Sequence, residues 1–150
     1  MRLLHKARRS DSGAELLEFA ISLPILLLIV GGIVEFSILF QQYQVVTNAA
    51  REGARVAVLP DFKEVDVKNR VDSYLKASGL KATYPTPVVT YEALVVTPGG
   101  PSVSVAKVLV KYPHDYVILS PLTSMVGGSS YSQTMLAAAS VMRREVAAIP

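Results

Sequence analysis

The apolar run at positions 19–40 constrains this chain more than any other feature. Its 22 residues carry one charge, Glu35, and residues 19–34 carry none. A helix of about 20 apolar residues spans the ~30 Å hydrocarbon core of a bilayer. A cleaved secretory signal would have an apolar stretch of ~7–15 residues closed by a small-x-small site. This run is longer, and Thr47-Asn48-Ala49 is a poor and distant match to such a site. At 150 residues the chain is also too short to wrap such a helix on all sides. The run reads as a retained membrane span.

The charges orient it. Arg2, Lys6, Arg8 and Arg9 against Asp11 give residues 1–13 the whole net charge of +3. The remaining chain has 11 basic and 11 acidic residues. The positive-inside rule places the first 13 residues in the cytoplasm and the bulk of the chain outside it. A charge confined to a short leader also argues against nucleic-acid binding, which needs Lys and Arg spread over a folded face. The chain has no cysteine, so it holds neither a disulfide framework nor a Cys-rich zinc site.

Beyond the span the helical pattern continues. Val46, Ala50, Gly53 or Ala54, and Ala57 recur every three or four residues, with Gln44, Asn48, Arg51, Glu52 and Arg55 opposite. Pro60 stops the helix. Residues 14–59 would then form one helix ~70 Å long, half of it outside the bilayer. Pro24 removes a backbone bond and is expected to bend it. A second helix is expected at 62–78, capped by Asp61 with Glu64 as capping-box partner and ended by Gly79. Its apolar stripe is Val67, Val71, and Tyr74 or Leu75.

A β region follows Pro85 and Pro87. Residues 88–97 and 103–112 read as a hairpin about Pro98-Gly99-Gly100-Pro101, with a bulge near Ala106-Lys107 where the alternation shifts parity. Residues 120–134 read as a long loop. Residues 135–146 read as a third strand, despite the helix propensity of Ala137-Ala138-Ala139, because a lone hairpin is marginal.

Catalytic constellations are missing from the sequence. His5 and His114 fall on opposite sides of the span, and no nucleophile elbow or Walker loop accompanies them. His114 reads as a loop or surface residue. The expectation is no enzyme, no cofactor, no metal and no small-molecule substrate.

Charged residues at the span need separate readings. Glu18 stands at the lip of the run. It either marks the membrane surface or takes a cationic partner, since a carboxylate is costly to bury. Glu35 lies ~25 Å further along a helix, near the outer interface, and reads as an interfacial residue. The small-residue surface of Ala50, Gly53, Ala54 and Ala57 either packs on the chain's own sheet, the reading favoured here, or allows close approach of other helices.

Ser12-Gly13-Ala14-Glu15-Leu16-Leu17-Glu18-Phe19 resembles a type IV prepilin cleavage site of the Tad (Flp, type IVc) subclass, with Phe19 where Tyr is familiar. Leu23-Pro24, Gly32-Ile33-Val34-Glu35-Phe36 and Asn48-Ala49-Ala50-Arg51-Glu52-Gly53-Ala54-Arg55 resemble TadE-like pseudopilins in order and spacing, over residues 12–58. The resemblance implies a minor pilin of the bacterial inner membrane, serving pili used in adhesion and biofilm formation. A prepilin peptidase would cut between Gly13 and Ala14. Glu18 would pair with the new amine of Ala14, with Phe19 as the motif aromatic. The implied partners are that peptidase, other Tad pilins, inner-membrane assembly proteins and the lipid bilayer. The rival reading is an unprocessed, membrane-anchored binding protein. The expected fold is α+β and pilin-like: a leader at 1–13, a long helix at 14–59, and an extracytoplasmic domain at 60–150 with one further helix and an antiparallel sheet.

Overall fold

The computed structural model describes residues 8–81, 84–95, 99–100, 102–121 and 133–144. The fold is α+β: two helices, then a three-stranded antiparallel sheet in the order β1-β2-β3. The first helix, α1 (Arg8–Ala57), has 50 residues and runs through Pro24. It begins earlier than residue 14, so the backbone is helical on both sides of the Gly13–Ala14 bond. Its best 18-residue stretch has a mean hydropathy of 2.5, long and apolar enough to cross a membrane. All side chains from position 13 to position 30 are exposed.

Two compact units divide the chain. One holds α1 up to Ser37 and the segment that starts at Tyr116; the other runs from Ile38 to Asp115 and resumes at Gln133. The second unit holds the hydrophobic core. Val46, Ala49, Ala50, Ala54 and Ala57 of α1 are buried there with Val67, Val71 and Leu75 of α2 (Glu64–Ala77). The sheet supplies Ala106, Val108, Val110, Tyr112, Leu136 and Ala138. Small residues on α1 let the layers close, and Gly53 shows how tightly. A Cβ there would stand 2.7 Å from Val71 Cγ2 and 3.2 Å from Val108 Cγ1. The Ala50, Gly53, Ala54 and Ala57 surface is thus filled by the chain's own second helix and sheet.

The start of α2 differs from expectation. Asp61 does not cap it but sits at φ 67° in the preceding turn, and the N-cap is Lys63. Asp66 reaches back to accept the Lys63 backbone N–H at 2.9 Å, so the returning carboxylate is Asp66 and not Glu64. The other end follows the sequence. Gly79 has φ 79°, the Gly79 N–H donates to Lys76 and the Leu80 N–H to Leu75, a Schellman closure. Tyr112 Oη then accepts the Lys81 N–H at 3.1 Å and ties the linker to the sheet. Tyr84 Oη donates to Asp72 at 2.8 Å.

The strands are β1 (Val88–Val95), β2 (Ser102–Asp115) and β3 (Gln133–Arg143). No bulge interrupts them. Val88 pairs with Leu109 and Val95 with Ser102 in one unbroken register, and the same holds from Val105↔Arg143 to Asp115↔Gln133. The apparent parity shift arises because valines occupy both faces of β2: Val108 and Val110 share the parity of buried Ala106, while Val103 and Val105 have the opposite parity, and Val105 is buried as well. β2 accommodates Pro113, which has no N–H to give. β1 stops opposite Leu109, so β2 pairs on one side alone at that point. The third strand exists but starts two residues early, at Gln133, and ends at Arg143, before the expected 146. Its alternate residues Leu136 and Ala138 are buried, so the alanine run serves a strand. Of the expected loop, residues 120–121 are helical and 133–134 belong to β3; the rest lies outside the described residues. The expected turn falls outside them too at Pro98 and Pro101; Gly99 within it has φ 77°.

Candidate functional site

The residues singled out at the membrane boundary sit on one continuous helix. A Cβ on Gly13 would meet nothing within 4 Å, and Ala14, Glu18 and Phe19 are all exposed. Ala14 and Glu18 are four residues apart and so share a helix face. Around them Leu16, Leu17 and Phe19 are 60–70% exposed. Apolar side chains this bare, over several turns, need a surface other than water to cover them.

Glu35 is the residue the sequence reading misjudged. It is 1% exposed, not an interfacial side chain in water. Its carboxylate accepts three backbone N–H groups: Val117 at 3.2 Å and Leu119 at 3.1 Å flank the short bond from Ile118 at 2.6 Å. The helical turn that starts at Leu119 would otherwise begin with open donors. A carboxylate facing three aligned N–H groups gains charge-assisted bonds, which offset its desolvation. One turn earlier on α1, Gly31 makes room for the incoming segment: a Cβ there would stand 2.8 Å from Ile118 Cγ2. No spacing rule reveals this pairing, because the partners lie 82 to 84 residues away and are backbone groups.

The polar half of the Asn48-to-Arg55 stretch is used inside the chain. Arg55 and Arg70 both bind Glu52, at 3.2 and 2.9 Å, and Arg51 reaches Asn48 at 3.4 Å. The hydrogen bond from Arg70 holds the Glu52 carboxyl below its ordinary range, aided by Arg55 and opposed by partial desolvation. These pairs lie near the surface and contribute little individually. Of the three, Arg70–Glu52 is the one that links α2 to α1.

His114 is not a surface residue. It is 1% exposed on the inner face of β2, with Nδ1 2.9 Å from Gln42 Oε1. His5 lies outside the described residues. Among the described residues no group of acidic, histidine or cysteine side chains could hold a metal ion.

The chain matches no curated protein and no solved structure. Residues 13–55 do match a family model, described as TadE-like protein. The matched segment opens at Gly13 and takes in Glu18, Phe19, Gly31, Glu35 and Gly53. The exposed apolar stretch, Glu35 itself and the core residues Val46, Ala49, Ala50 and Ala54 therefore lie in a TadE-like segment, consistent with a TadE-like protein of Tad pilus systems.

Proposed function

We propose that the chain is a minor pilin, a pseudopilin that serves assembly of Tad pili after removal of residues 1–13 by a prepilin peptidase. The observation that carries this reading is the family match beginning at Gly13, over a helix whose next 17 residues are all exposed and mostly apolar. One such helix fits a single-pass membrane anchor. The basic leader sets its N-terminus in the cytoplasm, and the α+β part lies on the far side of the inner membrane. The subunit is structural and its partners are other pilins, assembly proteins and the bilayer.

Cleavage after Gly13 would create an α-amino group at Ala14. Side chains on a helix tilt toward its N-terminus, so Glu18 points back along the face that Ala14 shares. Two charges each costly in lipid are less costly as a pair, within one subunit or between neighbours. The cut bond lies inside a helix, and a peptidase must open it. Glycine eases that opening by ~1 kcal/mol relative to alanine.

N-terminal sequencing of the membrane-extracted protein tests the proposal. Cells that make these pili are expected to yield a chain starting at Ala14, and Gly13→Val to block the cut, since a branched side chain crowds the bond. An intact Met1 in such cells refutes processing and leaves a plain membrane anchor.

A further inference from the structure

We infer that the segment after β2, residues 116–121, is itself a lipid-contacting element, seated in the acyl region of the bilayer beside α1 and held there by Glu35. The inference rests on the reading that residues 19–40 span a membrane. It follows from height, polarity and exposure.

Height comes first. The apolar run continues to Phe40, five residues past Glu35, so the Glu35 Cα lies ~7.5 Å inside the end of the run. Its side chain tilts toward the N-terminus and places the carboxylate lower still. Ile118 marks the same depth independently, because its Cγ2 lies against the backbone of Gly31, another turn down. Two contacts therefore set this backbone below the end of the span.

Polarity comes second. Backbone entering hydrocarbon must have its N–H groups satisfied by protein. The three consecutive donors of Val117, Ile118 and Leu119 all end on one carboxylate that is itself 1% exposed. In water these donors would need no such partner, and an acidic residue inside an apolar run would be a plain liability. Together they cancel two costs.

Exposure names the occupant. Val117 is 68% exposed, and at this level α1 exposes Ile33 at 63% and Phe36 at 71%. The apolar surface of the segment thus continues that of the span, and the lipid that covers the span covers it too.

The chain has no cysteine, so single labels can be placed directly. Full-length Val117→Cys carrying a nitroxide is reconstituted into phosphatidylethanolamine and phosphatidylglycerol vesicles. Collisions with oxygen and with a water-soluble nickel chelate are compared with those of Leu27→Cys in the span and Val88→Cys on β1. The label at 117 is expected to match that at 27, with oxygen favoured severalfold. In Glu35→Ala the label at 117 is expected to shift toward the nickel chelate; an unchanged profile refutes the holding role. A label at 117 that behaves like 88, while 27 stays in lipid, overturns the inference and leaves the membrane span intact. A label at 27 that behaves like 88 removes the span and the inference with it. A label at 117 shielded from both reagents overturns the lipid assignment in favour of a protein partner.

Discussion

Ile118 Cγ2 lies 2.8 Å from the position that a Cβ on Gly31 would occupy, whereas a Cβ on Gly32 would meet nothing within 4 Å. The two adjacent glycines are therefore not equivalent. Gly31→Val is expected to push the segment away from α1 and expose the amides of residues 117–119. Overpacking of this kind costs ~1–3 kcal/mol. Hydrogen exchange at those amides in detergent-solubilised protein should accelerate by about tenfold or more. Gly32→Val should leave them protected.

Gly53 offers a sign reversal. Replacing a mid-helix glycine with alanine gains ~1 kcal/mol of helix propensity. Here the new methyl group meets two stiff valines, a cost of ~1–3 kcal/mol. Gly53→Ala is expected to lower stability by about 1 kcal/mol, and Gly53→Val by about 3 kcal/mol. In a Val71→Ala background the clash at 2.7 Å is gone. There Gly53→Ala should raise the thermal midpoint. A rise in the unmodified background as well would show that α1 and α2 are packed more loosely than these distances say.

The Tyr84–Asp72 hydrogen bond ties stability to pH at both ends. Tyr84 is pushed above its ordinary value of 10.0, first by burial and then by its bond to Asp72. A raised folded-state value favours the neutral form, so its contribution is full below pH 10 and is lost as pH rises beyond that. Asp72 is held below its ordinary value of 3.8 by hydrogen bonds from Lys76 and then Tyr84. Its contribution is present above that value and is lost as pH falls through the lower folded-state value. Tyr84→Phe should flatten the alkaline limb of a stability–pH curve, and Asp72→Asn the acid limb. In the folded protein Tyr84 should ionise after the exposed tyrosines in an ultraviolet titration.

Glu18→Gln separates cutting from assembly. The proposed partner of Glu18 exists after the cut, so processing should proceed. Breaking a fully buried pair costs ~3–5 kcal/mol, and less at the wet lip of a membrane. The expected strain has a mature N-terminus at Ala14, a subunit retained in the membrane, and few pili. Normal pilus numbers would remove the charge pair from the mechanism. Loss of processing would show that the peptidase reads Glu18.

What the sequence made legible was periodic. The three- and four-residue spacing from Val46 to Ala57 marks the buried face of α1, and Gly79 marks the end of α2. β3 could be read as a strand through its alanines because a hairpin alone would be marginal. The failures share one cause, that the deciding partner is remote or is backbone. Glu35 looks interfacial until three N–H groups from the far end of the chain meet it. His114 looks exposed because the expected strand ends at 112, whereas β2 pairs on to Asp115 and keeps His114 on its buried face. The expected bulge came from assigning faces by valines alone, and the expected Asp61 cap from composition where the backbone has φ 67°. Gly13, Ala14, Glu18 and Phe19 belong to the proposal, since the fold leaves them exposed on α1 and does not test their roles.

The core face of α1 also has a history in time. Ala50, Ala54 and Ala57 are synthesised about 50 residues before Ala106 and Val108, the strand residues that cover them. At bacterial translation rates of ~5–20 residues per second, that leaves several seconds. In that interval the stripe of alanine and glycine meets α2, which follows it directly in the chain and supplies Val67 and Val71, while the share that the sheet covers waits for β2. The order of synthesis therefore closes this core in two steps, the helical layer first and the sheet when β2 arrives.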